Sequence, residues 1–286
     1  MNTQFWLIQA FNGISYGALL FLVGSGLSLI FGVMRIVNLS HGSYFLLGGY
    51  VALSVIWTTG SWALALPVAA LAIAAVGLLM ERIFLRPLGF DPLRQVLLTV
   101  GFAFLFQQAA LDIWTGNNFD INPPEALTRS IVIGGLYLPL YRVFMIAMAA
   151  AIGIALWLAM EKTRMGAAVR ATVDDAQMAR GVGIDTSRIS MFIFALGAFL
   201  AVLGGVIGGA FLGIYPGLDF EMLPIAFAVV IIGGMGSLGG AAIGALIVGL
   251  ADNFGKALFP EVSYFTLYAP MALILAVKPT GLFGRE

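Results

Sequence analysis

The only histidine of this 286-residue chain, His41, lies in Asn38-Leu39-Ser40-His41-Gly42, between two long apolar runs. An imidazole can titrate near neutrality, and beside a helix break it serves equally as a hydrogen-bonding strut. A second stretch of the same kind is Gly233-Gly234-Met235-Gly236-Ser237-Leu238-Gly239-Gly240, with five glycines in eight positions. Each glycine inside a helix costs about 1 kcal/mol relative to alanine, so the backbone is expected to bend or unwind there. Asn38, Ser40, His41, Gly42, Gly234, Gly236 and Ser237 are therefore the candidates for lining a path through the protein. The competing reading is that they are satisfied structural hydrogen bonds, because buried polar groups need partners. Bond-making chemistry is not indicated. The apolar runs hold no acid/base pair, nucleophile constellation or metal cluster, and the chain has no cysteine. No cofactor, metal or nucleic-acid partner is expected, and the protein reads as a non-enzyme.

Two phosphate-binding look-alikes fail on context. Gly234-x-Gly236-x-x-Gly239 matches a dinucleotide fingerprint, with Glu261 following, but membrane-length apolar runs replace the strand and helix of a βαβ unit. Gly255-Lys256 resembles the end of a Walker A loop, yet Leu250 stands where glycine is required and Ala257 where Ser or Thr is required.

The elements that position these residues are membrane spans. Hydrophobic residues make up 61% of the chain and charged residues 10%, far below the roughly 25% of a soluble domain. Charge-free runs (His41 aside) cover 1–34, 36–80, 95–111, 143–160, 189–218, 222–251 and 262–277. About 20 apolar residues cross a bilayer as a helix, so 36–80 must hold two spans, divided near Thr58-Thr59-Gly60-Ser61. No basic n-region precedes the first run, so it is kept as a mature span. No composition shift divides 1–286, which reads as one all-α, polytopic membrane domain of eight or nine spans with broken or re-entrant segments. With the N-terminus outside, nine spans place 11 Lys and Arg inside and three (Arg129, Arg142, Lys256) outside. Treating 222–251 as one tilted helix gives eight spans and a 10:4 split. In the nine-span topology both breaks follow a descending span and precede an ascending one, the arrangement of transporter sites built from discontinuous helices.

What drives transport is read from charge. Proton- or voltage-coupled carriers keep ionisable residues inside their spans, and here the spans are nearly empty of them. Asp112 and Asp252 fall at span ends, where solvated charge is expected. By contrast, 161–188 (EKTRMGAAVRATVDDAQMARGVGIDTSR) holds nine of the 28 charges. Met165, Val169, Val173 and Ala176 fall at helical spacing, followed by Ala179 and Val182, with Arg170, Asp174, Asp175 and Gln177 on the polar side. This predicts one amphipathic helix of some 15 residues, stopped by Gly181 and Gly183. Five basic and four acidic residues nearly cancel, whereas helices lying on lipid are rich in Lys and Arg. Docking to a water-side partner is the favoured reading.

At these residues the chain resembles the branched-chain amino acid permease family of ABC importers, specifically the shorter of its two membrane subunits. RATVDDAQMARGVGIDTSRISMFIFALGAFLA resembles that family's cytoplasmic loop and following span. FGVMRIVNLSHGSYFLLGGY resembles its (I/V)NxxHG signature, and ERIFLRPLG with LLTVGFAFLFQQ its third and fourth spans. GGMGSLGGAAIGALIVG and the terminal KPTGLFGRE complete an ordered set, in which Lys278 stands where Arg is commoner. The resemblance implies an ABC importer permease fold in the bacterial inner membrane. It implies a second, longer permease subunit, two cytoplasmic ATPase subunits and a periplasmic substrate-binding protein as partners, besides the lipid bilayer. It makes 163–181 the coupling helix, with Arg164, Gly166, Arg170, Asp174, Asp175, Ala179 and Gly181 at the ATPase contact. Outer segments 116–139 and 215–221, with Asp120, Glu125, Asp219 and Glu221, would meet the binding protein. Cargo would be a branched-chain amino acid, with urea, a short amide or an aromatic acid as alternatives. A self-sufficient channel or ion-coupled carrier is the reading from another class.

Overall fold

In the computed structural model, residues 3–89 and 91–284 are described; Arg285, counted above with the inner charges, lies outside them. The described residues form a bundle of helices, all apolar but α6 and α7, in the order α1 (Thr3–Met34), α2 (His41–Thr59), α3 (Trp62–Met80), α4 (Pro92–Trp114), α5 (Leu140–Lys162), α6 (Arg164–Asp174), α7 (Ala176–Gly181), α8 (Thr186–Leu212), α9 (Leu218–Gly233), α10 (Leu238–Leu258) and α11 (Ser263–Val277). Six segments are long and apolar enough to cross a membrane: Thr3–Met34, Trp62–Leu88, Pro92–Trp114, Leu140–Lys162, Thr186–Leu212 and Leu238–Leu258. In the second of these, α3 continues through a π turn at Glu81–Leu85 and a 3₁₀ turn at Arg86–Leu88.

Local chemistry sets the boundaries. Gly60 closes α2 in the left-handed conformation (φ 67°), with its N–H on the Ile56 carbonyl, and the Ser61 hydroxyl then caps α3 at Leu64 N. The 36–80 run therefore divides where its turn residues predict. The 222–251 run divides as well, between Gly233 and Leu238, so it is not one tilted helix. Gly234 (φ 98°) and Gly236 (φ 82°) adopt backbone angles that a side chain would resist.

One expectation needs correction. The protein is mostly helical but not all-α, because Ser130–Ile133 (β1) and Leu136–Pro139 (β2) form an antiparallel hairpin. Gly134 and Gly135 both have positive φ (59° and 82°), the angles a two-residue hairpin turn demands.

The centre of the bundle is built on α1 and α8, in each of which 72% of the most apolar window is buried; the figure is 17% for α4 and α5. The apolar surface of those outer helices faces outward. Close approach at the centre depends on small residues. A side chain at Gly205 of α8 would overlap the Phe45 carbonyl of α2, and one at Gly17 of α1 would press on the Ala245 carbonyl of α10. Such rows bring helix backbones together where lipid supplies no hydrophobic drive. Replacing Gly205 by Val should cost roughly 1–3 kcal/mol or more through overpacking. Thermal unfolding of the detergent-solubilised protein should show that loss. Gly101→Ala, where a methyl group meets nothing within 4 Å, should leave the midpoint unchanged or raised.

Candidate translocation site

The first break, between α1 and α2, is closed on itself. Asn38, Ser40 and His41 are fully buried. Asn38 Oδ1 accepts from Ser40 N (3.1 Å) and Ser40 Oγ (2.7 Å), and Leu39 N donates to Thr99 Oγ1 on α4 (3.2 Å). Tyr44 OH, 3.4 Å from Ser40 Oγ, lies 3.0 Å from Met80 Sδ on α3. His41 Nε2 is 3.0 Å from the Val23 carbonyl of α1. A carbonyl only accepts, so that nitrogen carries the proton and neutral imidazole leaves Nδ1 as an acceptor. Among the described residues, Asn38 Nδ2 and His41 Nδ1 have no hydrogen-bond partner. Gly42 meets α9, since a Cβ there would overlap the Asp219 carbonyl oxygen.

The second break, Gly234–Ser237, is held from three directions. Ser237 Oγ caps α10 by accepting from Gly240 N (3.0 Å), and the Ser237 carbonyl accepts from Ser28 Oγ of α1 (3.3 Å). The C-terminal tail supplies the third contact. Leu282 N and Phe283 N donate to the Ile232 and Gly233 carbonyls (2.9 and 3.0 Å), while Lys278 Nζ ties back to the Leu282 carbonyl (2.8 Å). These bonds satisfy the carbonyls that α9 leaves open at its end. Both breaks rest on α1, at Val23 and Ser28, roughly 7–8 Å apart by helical rise. None of the described hydrogen bonds joins Asn38, Ser40 or His41 to Ser237.

Gly236 and Ser237 border a cleft of about 870 Å³ that also takes in Arg35, Glu161, Arg170 and Asp174. Two sets of residues singled out from the sequence for different reasons, Gly236 and Ser237 and Arg170 and Asp174, thus line one space.

The polar segment that reaches this cleft is two helices rather than the single 15-residue helix expected. Thr163 caps α6 through Gly166 N (3.1 Å). Asp175 interrupts it, in extended conformation (φ −152°, ψ 103°), and caps α7 by accepting from Gln177 N (2.8 Å) and Met178 N (2.9 Å). The apolar spacing continues across Asp175, but a carboxylate that can take two helix-end N–H groups prefers the cap. Gly181 ends α7 and Gly183 follows with φ 89°, as their positions suggested. A side chain at Gly166 would overlap the Met160 carbonyl, which also accepts from Arg170 Nη1. Arg170 and Glu161 are 3.8 Å apart and partly exposed, a pair worth little in water. Gly166, Val169 and Ala179 are buried, whereas Arg164, Asp174, Asp175 and Gly181 are exposed and Met165, Met178 and Val182 present apolar surface outward.

Two acids differ from their sequence reading. Asp252, expected to be solvated, is buried and paired with Lys256 (2.7 Å) one turn on. Asp219, expected on an outer surface, is 2% exposed, and its Oδ2 accepts from Ser43 Oγ (3.0 Å). Asp120, Glu125 and Glu221 are exposed. Asp219 could have been suspected because it alone separates the apolar run 189–218 from Phe220 and the run beyond Glu221, and an acid so placed marks function by default.

Residues 9–275 match the family described as branched-chain amino acid transport system / permease component. The chain belongs to that family. It is similar to the high-affinity branched-chain amino acid transport system permease protein LivH of Escherichia coli (strain K12), 32% identical over all of this chain and 98% of that one. The corresponding protein BraD of Pseudomonas aeruginosa is 28% identical over 98% of this chain and 96% of its own. LivM of Salmonella typhimurium, a further permease protein of the same kind of system, is 26% identical over 91% of this chain and 67% of its own. No solved structure matches the chain. It is thus a multi-pass membrane transport permease and not an enzyme.

Two backbone N–H groups, of Met178 and then Gln177, hold the Asp175 carboxyl below its ordinary value of 3.8. A depressed folded-state value means the cap is fully formed above the ordinary value and is lost only as pH falls through the lowered one. Hydrogen exchange of 176–181 should therefore show undiminished protection at neutral pH and loss in strong acid. Asp175→Ala should raise exchange of these amides at least tenfold at neutral pH, with α5 and α8 unaffected.

Proposed function

We propose that the chain is one of two membrane subunits of an ATP-driven importer of branched-chain amino acids in the bacterial inner membrane, with 1–286 acting as one permease domain. The family membership and the names of the relatives support the cargo, and the similarity to LivM supports a second permease subunit. Two cytoplasmic ATPase subunits would seat on α6 and α7, and a periplasmic binding protein would deliver cargo at the opposite face. On this reading nine helices enter the bilayer. α2, α9 and α11, of 19, 16 and 15 residues, are the short ones, and α2 and α9 are the discontinuous elements of the pathway.

The observation that carries the proposal is the shared cleft. Arg170 and Asp174 of α6 face the same space as Gly236 and Ser237 of the α9–α10 break. A push on α6 from the water side would therefore act on a wall of the cleft that faces a helix break. Exposed Met165, Met178 and Val182 give an ATPase groove apolar surface to hold, and α6 itself is anchored to the last turn of α5 through Gly166 and Arg170. Binding differences between states then drive alternating access.

Replacing Asp174 and Asp175 together by Lys, or Gly181 by Pro, should lower ATP-driven uptake of leucine at least tenfold in proteoliposomes holding all subunits. Membrane insertion, followed by fractionation, should be unchanged. Uptake at the wild-type rate in both variants would remove α6–α7 as the point of coupling. Uptake by the chain alone, without ATPase subunits, would replace the importer by a self-sufficient carrier.

A further inference from the structure

Three acids are buried among the described residues, Glu81, Asp219 and Asp252. Asp252 has Lys256 at 2.7 Å, and Glu81, whose Oε2 also lacks a hydrogen-bond partner among the described residues, feels the positive charge of Arg86. Asp219 has neither. None of the described ion pairs includes it, and its Oδ1 has no hydrogen-bond partner among the described residues. An acid of this kind inside a helical bundle is expensive, and its presence implies a partner of opposite charge.

The surroundings of Asp219 specify what kind of cation. It occupies the first turn of α9, against the first turn of α2, where Gly42 abuts its carbonyl and Ser43 holds its carboxylate. Tyr50, seven residues beyond Ser43 and so on the same helical face, carries another buried polar atom without a partner among the described residues. His41 points elsewhere, toward the Val23 carbonyl of α1. A primary ammonium, with three donors and no acceptor, suits a carboxylate that keeps one oxygen free beside a single hydroxyl, where a metal ion would want more oxygens.

We propose that Asp219 is the counter-ion for the ammonium group of the cargo, so that the permease itself, and not only its binding protein, selects an amine-bearing substrate over a neutral amide or a simple carboxylic acid. This rests on the importer reading above. The site is closed in this structure and would open if the first turn of α9 moved off Gly42. The segment before α9 has glycines of positive φ at either end, Gly213 (φ 77°) and Gly217 (φ 98°), and between them Ile214 pairs with Phe119 (2.7 and 2.8 Å), the contact such an opening would have to strain.

The test uses the assembled complex of both permeases, both ATPases and the binding protein in proteoliposomes. Asp219→Asn should reduce leucine uptake at least tenfold while basal ATP hydrolysis persists. Asp219→Glu should recover part of the uptake, and Glu261→Gln, an exposed acid, should have no effect. Leucine uptake by Asp219→Asn at the wild-type rate overturns the ammonium role alone. Absence of leucine uptake by the wild-type complex overturns the importer reading and this proposal together. A second measurement needs no variant to fold. Isoamylamine, which keeps the ammonium, should raise the unfolding midpoint of the detergent-solubilised wild-type complex at millimolar concentration. Isocaproate, which keeps only the carboxylate, should not, and an equal shift by isocaproate overturns the proposal.

Discussion

The structure depends on one constraint: wherever a helix stops inside the bundle, its freed backbone groups must find partners in the protein, because lipid offers none. Both breaks meet it by different means. At Arg35–Ser40 side chains do the work, with Asn38 Oδ1 taking Ser40 N and Thr99 Oγ1 taking Leu39 N. At Gly234–Ser237 it is backbone from elsewhere, the tail amides of Leu282 and Phe283 on the Ile232 and Gly233 carbonyls. The economy of the fold follows from this. The tail is not an appendage but the piece that lets α9 end where it does, and α1 is the column against which both breaks are fixed.

A side-chain solution and a backbone solution have different mechanical properties. Asn38 and Ser40 hydrogen-bond each other across two residues, so the first break is a rigid knot that moves as one with the start of α2. The second break is held by a segment from the far end of the chain. Displacing the tail frees the Ile232 and Gly233 carbonyls without breaking any bond inside α9 or α10, and leaves, among the described hydrogen bonds, only the Ser28–Ser237 contact with α1 to hold the break from outside. The cleft lies against that second, releasable break, with Pro279, Thr280, Phe283 and Gly284 of the tail among its walls. On the proposed reading, force applied at α6 would act beside the break that can yield.

Much of this was legible in the sequence. Thr58–Ser61 and the glycines of 233–240 announced their breaks, since turn residues and helix-breaking glycine act locally. The position of Gly181 at the end of α7 is of the same kind. What escaped were outcomes decided by competition or by distant packing. Asp175 is as compatible with a helix interior as its neighbours by spacing, and only its capping preference divides α6 from α7. The β1–β2 hairpin was signalled by Gly134-Gly135 between Ile131-Val132-Ile133 and Leu136-Tyr137-Leu138, but strands of four residues are faint beside membrane-length helices. The Lys256–Asp252 pair has the i,i+4 spacing of a helical ion pair. The burial of Asp219 depends on Gly42, 177 positions away in the chain, so its place between apolar runs could raise the suspicion of a role without showing what covers it.

That last case shows why the glycine at 42 matters beyond packing. A methyl group there would drive the start of α2 off the Asp219 carbonyl, and the carboxylate would lose the Ser43 hydroxyl that now orients it. The two helix starts would separate, water would reach the acid, and a solvated carboxylate gains little from any cation that approaches it. The glycine thereby keeps the acid dry, which is the condition for a single charge to discriminate strongly. The same geometry sets the limit on how tightly a cation can be held. Ser43 and the N-terminal turns of α2 and α9 also favour the negative charge on Asp219, and so share it with whatever cation approaches. A charge shared in this way holds its counter-ion less tightly, so that a bound cation can leave again, as the proposed transport role requires.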